Sequence, residues 1–383
     1  MPDKLSRREF IECAACGAMT LALGSSSLKS AKADALPDLT DGKHIFVTKE
    51  AMYYEKLHEN EIRCKLCPKE CVVGDKERGW CGVRENHKGR YYTLVYANPC
   101  AMHIDPIEKK PFYHFLPASL AFSISTAGCN FNCKYCQNWQ ISQYRPEQTD
   151  NIYAPPEMIA EAAKKRSCQS IAYTYAEPTV FYEYMLDTAK AGRKAGVKNV
   201  VVSAGYIHID PLKELCENVD AVKIDLKAFR DKFYREICTG TLKPVLDTLV
   251  TLKQMKVWHE IVVLVVPTLN DTEEEFRGLA TWIMDNLGSD VPLHFSRFHP
   301  TYQLKNLPYT PLKTLETARQ ISMGAGLNYV YIGNVNPDHE GNNTYCPKCH
   351  KMLIERYGYI IRRNDVVDGK CKYCGNEIPG VWE

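Results

Sequence analysis

Neither sign of charge prevails in this 383-residue chain, where 48 Lys and Arg stand against 46 Asp and Glu. That balance excludes the basic footprint of a nucleic-acid binder. No apolar run is long enough to cross a bilayer as a helix. No sequence repeat and no low-complexity tract is present, which excludes a solenoid or a fibrous chain. What remains is the composition of an ordinary soluble globular protein, with 45% hydrophobic residues to build a sizeable core. The length suggests one large domain with attachments.

Cysteine, by contrast, is plentiful, with 17 in the chain. Most fall in C-x2-C or C-x3-C groups, the spacing of metal sites more than of disulfide scaffolds. Three clusters stand out: Cys64, Cys67, Cys71 and Cys81; then Cys129, Cys133 and Cys136; then Cys346, Cys349, Cys371 and Cys374. Cys100, Cys168, Cys216 and Cys238 stand alone and read as small buried apolar residues. Cys13 and Cys16 belong to the N-terminal segment.

That segment, "SRREFIECAACGAMTLALG", places Arg7 and Arg8 before a mild apolar run that ends at Gly24, and small residues follow up to Ala33. It resembles a twin-arginine export leader over residues 1–33. The bland alternative is an amphipathic helix that carries two arginines. The leader suggests export to the periplasm or cell envelope; without its use the protein is cytoplasmic.

Residues 34–118 are polar, weakly periodic, and rich in cysteine and proline. From Ala121 the pattern changes. "AFSIST", "SIAYTY", "NVVVSAG", "AVKIDLK", "EIVVLVV", "LHFSRF" and "YVYIGN" are the β-branched and aromatic runs of buried parallel strands. Helical stretches lie between them. "PPEMIAEAAKKR" opens with proline, the stretch from Thr179 stops at Gly196, and another opens with Asp271 or Thr272 as cap before a glutamate-rich turn. Strand and helix alternate about six times, which predicts a parallel α/β sheet over 119–338, open or curled into a barrel. Residues 339–383 form a short tail of paired knuckles.

The Cys129, Cys133, Cys136 loop follows the first strand, so it lies at the strand C-termini, where such sheets do their chemistry. Thiolates hold iron–sulfur clusters, and three cysteines leave one iron of a [4Fe–4S] cubane open. Read from spacing alone, a zinc site completed by a distant histidine, or a disulfide with a spare thiol, stays open. C-x3-C-x2-C with Tyr135 before the last cysteine is the signature of the radical S-adenosylmethionine (radical SAM) superfamily, which this stretch resembles. With "CQNWQIS", "RCKLCPKEC", "RGWCGVREN" and "DPIEKKPFYHFLPAS", the order of segments resembles the radical SAM protein of the AmmeMemoRadiSam system, a pyruvate formate-lyase activating enzyme-like group.

The resemblance implies a partial (β/α)6 TIM-type barrel. It also implies that SAM chelates the open iron and is cleaved to a 5′-deoxyadenosyl radical, which takes hydrogen from a substrate. A partner protein, as in glycyl-radical activation, or a small molecule would serve as that substrate, and a low-potential electron donor is needed. By the same resemblance Glu177 of "YAEP" takes the SAM amino group, although Tyr175 and Ala176 replace two glycines of the family's GGEP. The structural alternative is a helix cap. Ser203 would face the ribose, Lys227 of "DLK" the SAM carboxylate, and His299 the cofactor; Tyr135 and Asp225 join them as cofactor-binding residues, and Asp271 ranks last. Lys109 or Lys110 would grip an anionic substrate, unless "DPIEKKP" is a solvated basic turn.

Cys346, Cys349, Cys371 and Cys374 make C-x2-C-x21-C-x2-C, a zinc-ribbon pattern with rubredoxin-type iron as rival. For Cys64, Cys67, Cys71 and Cys81, zinc is slightly favoured over a second cluster. The competing reading of the whole chain is a non-enzymatic iron–sulfur electron carrier or structural metal protein. It leaves the missing fourth ligand unexplained.

Overall fold

Seven of the β-branched runs form strands because their residues are apolar on both faces and are covered on both. The computed structural model describes residues 47–383, so the leader-like segment with Cys13 and Cys16 lies outside the described residues. Two small antiparallel sheets come first. One orders β1 (Lys49–Glu50), β6 (Arg90–Thr93) and β5 (Arg84–His87); the other orders β2 (Tyr54–Lys56), β3 (Ile62–Cys64) and β4 (Val72–Val73).

The central sheet has eight strands. It begins with β7 (Ala101–Pro106), antiparallel to β8 (Leu120–Ser125). There follow, all parallel and in sequence order, β9 (Ser170–Tyr173), β10 (Lys198–Ser203), β11 (Ala221–Asp225), β12 (Trp258–Val265), β13 (Leu293–Arg297) and β14 (Val330–Gly333). Six helices make the crossovers: Pro156–Lys165, Tyr182–Ala195, Ile209–Cys216, Lys243–Gln254, Glu273–Asn286 and Leu312–Gly324. The expected sixfold β/α alternation is therefore present. Each parallel connection needs such a crossover. The antiparallel edge strand carries no such periodic signal and comes from the cysteine-rich stretch.

Local signals act where they stand. Gly196 adopts φ +76° after the helix Tyr182–Ala195, and the Val197 amide closes back on the Gly192 carbonyl at 2.9 Å. The Thr272 hydroxyl accepts from the Glu275 amide at 3.3 Å ahead of three glutamates in the first turn.

The C-terminal residues pair β15 (Thr344–Tyr345), β16 (Met352–Tyr357) and β17 (Ile360–Asn364), then β18 (Val366–Val367) and β19 (Lys370–Cys371). This module is pinned to the segment after β7. Buried Arg356 donates to the Tyr113 carbonyl at 2.8 Å and lies 4.0 Å over its ring. Val381 bridges to Phe115. The N-terminal sheets are pinned by a buried ion pair, Arg84 with Glu183, whose carboxylate also accepts from the Met52 amide at 2.6 Å. Removing one partner of such a pair costs about 3–5 kcal/mol. Among the described residues no helix is long and apolar enough to cross a membrane.

Candidate functional site

The loop after β8 turns sharply because its neighbours leave no room for a side chain. Gly128 has φ +93°, and a Cβ there would lie 2.5 Å from Val83 Cγ1 and 2.8 Å from the Cys81 carbonyl. Its amide donates to the Ile141 carbonyl at 2.9 Å, closing the loop. From the far side the loop is held by the segment after β11. The Asn132 and Lys134 amides donate to the Cys238 and Ile237 carbonyls at 3.1 and 3.0 Å. Residues Tyr234–Cys238 form a π-helical turn, a distortion often found at functional sites. A Cβ on Gly240 would meet the Phe131 ring at 2.1 Å, so ring and backbone are in close contact.

This clamping aims Cys129, Cys133 and Cys136 into one cavity of about 660 Å³ at the C-terminal strand ends. The Phe131 amide donates to Cys129 Sγ at 3.3 Å, and Cys136 Sγ lies 3.2 Å from Ser142 Oγ. Burial, with the Glu177 charge, pushes the Cys129 thiol well up, and burial raises Cys136. A hydrogen bond with Cys238, then burial, raises Cys133. Loading with metal therefore releases protons here.

Of the residues expected to hold SAM, Tyr135, Glu177, Asp225 and Lys227 line the cavity. Glu177 is nearly enclosed, at 2% exposure. Its Oε1 accepts from the Thr179 amide (3.0 Å), the Thr179 hydroxyl (2.8 Å) and the Ser203 hydroxyl (2.6 Å), and its Oε2 from the Ala204 amide (2.8 Å). The helix-cap role is thus present, and one acceptor site on Oε2 remains. Ser203 stands behind this carboxylate, and Val202 and Ala204 face the cavity in its place. Asp225 lies between Lys223 and Lys227 Nζ, the latter at 3.2 Å. Burial raises the Asp225 carboxyl, but the two lysines outweigh it and bring it down to about 2. Burial lowers the Lys227 ammonium; Asp225, Cys133 and Cys238 together raise it above its usual range. His299 lies outside the cavity lining, with its ring 6.5 Å from that of Tyr309. Asp271 accepts from the Thr268 amide at 2.9 Å, also outside it.

Lys109 and Lys110 line the cavity, Lys109 exposed and Lys110 buried, so the basic turn "DPIEKKP" is only partly solvated. Both pair with Asp105, at 2.8 and 2.6 Å, and Lys110 is only 3% exposed. Tyr175, which stands for a glycine in the family motif, keeps a left-handed φ of +69°. Its ring lies 4.2 Å from Lys110 Nζ, its hydroxyl donates to Asp105, and its carbonyl accepts from Asn138 Nδ2 at 2.7 Å. The strained backbone survives because those contacts hold it.

Sequence reasoning missed two residues. In the sequence Cys238 stands as an isolated apolar cysteine; in the fold it hydrogen-bonds Cys133 and lies 3.5 Å from the Tyr135 hydroxyl. Nothing local marks it, because its partner is about a hundred positions away. Lys223 is a charge set between apolar Val222 and Ile224 in strand β11, and that mismatch is a usable signal.

A family model described as the radical SAM superfamily matches residues 123–283, which enclose the thiol loop and the strand ends through β12. The chain belongs to the radical SAM superfamily. The chain is also 47% identical over 335 residues to the uncharacterized protein MJ0808 of Methanocaldococcus jannaschii, covering 87% of this chain and 99% of that one. It is 27% identical over 199 residues to a pyruvate formate-lyase-activating enzyme of Clostridium pasteurianum, covering 48% and 78%. Among solved structures, a radical SAM methyltransferase from Sphaerobacter thermophilus aligns with TM-score 0.46 at 14% identity, covering 57% and 67%.

Radical SAM membership implies a [4Fe–4S] cluster and SAM. The residues present fit that pair: three thiols face one cavity, two with amide or hydroxyl partners, and the space beyond them suits a small-molecule ligand. The C-terminal thiols form a separate group suited to a metal ion. Cys346 Sγ lies 3.6 Å from Cys374 Sγ and Cys349 Sγ 3.7 Å from Cys371 Sγ, with all four within 4.8 Å. A tetrahedral zinc with Zn–S of about 2.3 Å puts its sulfurs about 3.8 Å apart.

Proposed function

We propose that Cys129, Cys133 and Cys136 hold a [4Fe–4S] cluster open at one iron, that SAM binds there, and that the enzyme abstracts hydrogen from a substrate. When bound, cluster and SAM supply a 5′-deoxyadenosyl radical; the rest is positioning by this chain. The observation that carries the reading is the opening of three thiols onto a 660 Å³ cavity walled by charged strand ends, with no fourth cysteine among the described residues that line it. A closed electron carrier has no use for that volume.

In this reading Oε2 of Glu177 offers its remaining acceptor site to the SAM ammonium, and Ser203 holds the carboxylate in place. Lys227 meets the SAM carboxylate, with Asp225 fixing its orientation. Tyr175, braced by Lys110 and Asp105, narrows the cavity beside the site. Exclusion of water protects the reactive species. The similarity to a pyruvate formate-lyase-activating enzyme supports a polypeptide segment as substrate, with a low-potential one-electron donor. We further propose zinc for the C-terminal thiols, on their sulfur spacing.

The test is 5′-deoxyadenosine release by the reduced, anaerobically reconstituted protein, with Cys133→Ala as control. Release well above the control is expected. No release from protein shown to carry a full cluster overturns the proposal.

A further inference from the structure

The second four-cysteine group is built differently from the ribbon. Cys64, Cys67, Cys71 and Cys81 ring one small enclosed cavity of about 20 Å³, walled by Leu66, Tyr91 and Val180. A backbone amide is aimed at each sulfur: Leu66 at Cys64, Lys69 at Cys67, Trp80 at Cys71 (3.3 Å) and Val83 at Cys81. Among the described residues, only the ribbon thiols form a group drawn within 4.8 Å. Tetrahedral zinc pulls sulfurs into contact and leaves no space among them. A cubane interposes irons and sulfides, so its thiolates stand apart around a void.

Arg84 adds an independent sign. It is 1% exposed, lines this cavity, and its Nη1 has no hydrogen-bond partner among the described residues. A buried guanidinium with a spare donor at a four-thiol cavity calls for an anionic thiolate centre there, and the spacing of the sulfurs decides which metal that centre holds.

The cavity also abuts the radical SAM loop. Asn130 lines it, while the adjacent Cys129 lines the larger cavity. The Cys81 carbonyl crowds Gly128, as described above. Cys81 and Cys129 also share an outer depression of about 770 Å³.

We infer that Cys64, Cys67, Cys71 and Cys81 hold a second [4Fe–4S] cluster that passes electrons to the radical SAM cluster. The relay role rests on the function proposed above; the metal identity does not. The balance is one electron in and one out. A low-potential flavin or ferredoxin-type protein is oxidised by one electron, the radical SAM cluster is reduced by one, and no atom is transferred. This replaces the slight preference for zinc that spacing in the sequence suggests.

The experiment is metal and acid-labile sulfide analysis of the anaerobically reconstituted full chain. About eight irons and one zinc per chain are expected, against about four irons and two zincs if the site holds zinc, which overturns the inference. Cys67→Ala/Cys71→Ala should drop the count to about four irons and keep the ribbon zinc. The wild-type count decides the metal even if that variant fails to fold. Cys129→Ala/Cys133→Ala/Cys136→Ala should also lose about four irons; if it loses none, the proposed function fails and the second site stands. For the relay, 5′-deoxyadenosine formation by Cys67→Ala/Cys71→Ala should persist with dithionite. With reduced flavodoxin it should fall at least tenfold. Equal retention with both reductants overturns the relay.

Discussion

Glu177→Ala tests the strand-end geometry most directly. The carboxylate joins β9 to β10 through four accepted hydrogen bonds at 2.6–3.0 Å and is almost inaccessible to water. Alanine leaves the amides of Thr179 and Ala204 without an acceptor. The hydroxyls of Thr179 and Ser203 can turn elsewhere, so they add little. Two unmet buried amides at about 1–3 kcal/mol each give a loss of about 4 kcal/mol. Glu177→Gln keeps one carbonyl oxygen but turns an amide donor towards another donor, so about half of that loss is expected. The assay is denaturant unfolding followed by circular dichroism, beside SAM binding to the reconstituted protein. SAM binding should weaken in both variants while iron content stays at the wild-type level. A Glu177→Ala protein within about 0.5 kcal/mol of wild type refutes the bracing argument. Loss of iron with SAM affinity intact would refute the cofactor contact.

Two further outcomes are expected. Cys238→Ala should keep its full iron content, since Cys238 neighbours Cys133 and is not a fourth ligand. Loss of a sulfur-to-sulfur hydrogen bond should make the cluster harder to reduce, read as a lower potential in an EPR titration; an unchanged potential would show the contact to be inert. His114 is buried against the C-terminal module, with Nδ1 2.7 Å from the Pro379 carbonyl and Nε2 2.7 Å from the Tyr331 hydroxyl. Burial, opposed by Glu260, brings it down to about 4. The unfolded chain therefore binds the proton first, so stability is complete above about pH 6.5 and falls as pH drops towards 4. The full loss is about 3 kcal/mol, at roughly 1.4 kcal/mol per pH unit. Unfolding at pH 7.5 and pH 5.5 should show a steeper slope in wild type than in His114→Gln, which keeps the smaller slope of His259 and His294; parallel slopes would count against it.

The sequence alone determined the parts governed by short-range patterns. β-branched runs alternating with capped helices specify a parallel sheet, because both signals act within a few residues. Three-cysteine spacing announces a site at the strand ends for the same reason. The ribbon thiols were legible because two C-x2-C knuckles are local objects. Tertiary structure decided what depends on distance in space. It moved Ser203 behind Glu177 and His299 outside the cavity, since a strand-end position does not say which way a side chain faces. It made Lys110 a buried partner of Asp105 in place of a solvated charge. It brought Cys238 to Cys133, and the Cys81 carbonyl against the glycine before Cys129. Spacing in sequence cannot separate zinc from a cluster at Cys64, Cys67, Cys71 and Cys81, because both accept four thiolates. Only the folded chain fixes how far apart those sulfurs stand and what buried charge faces them.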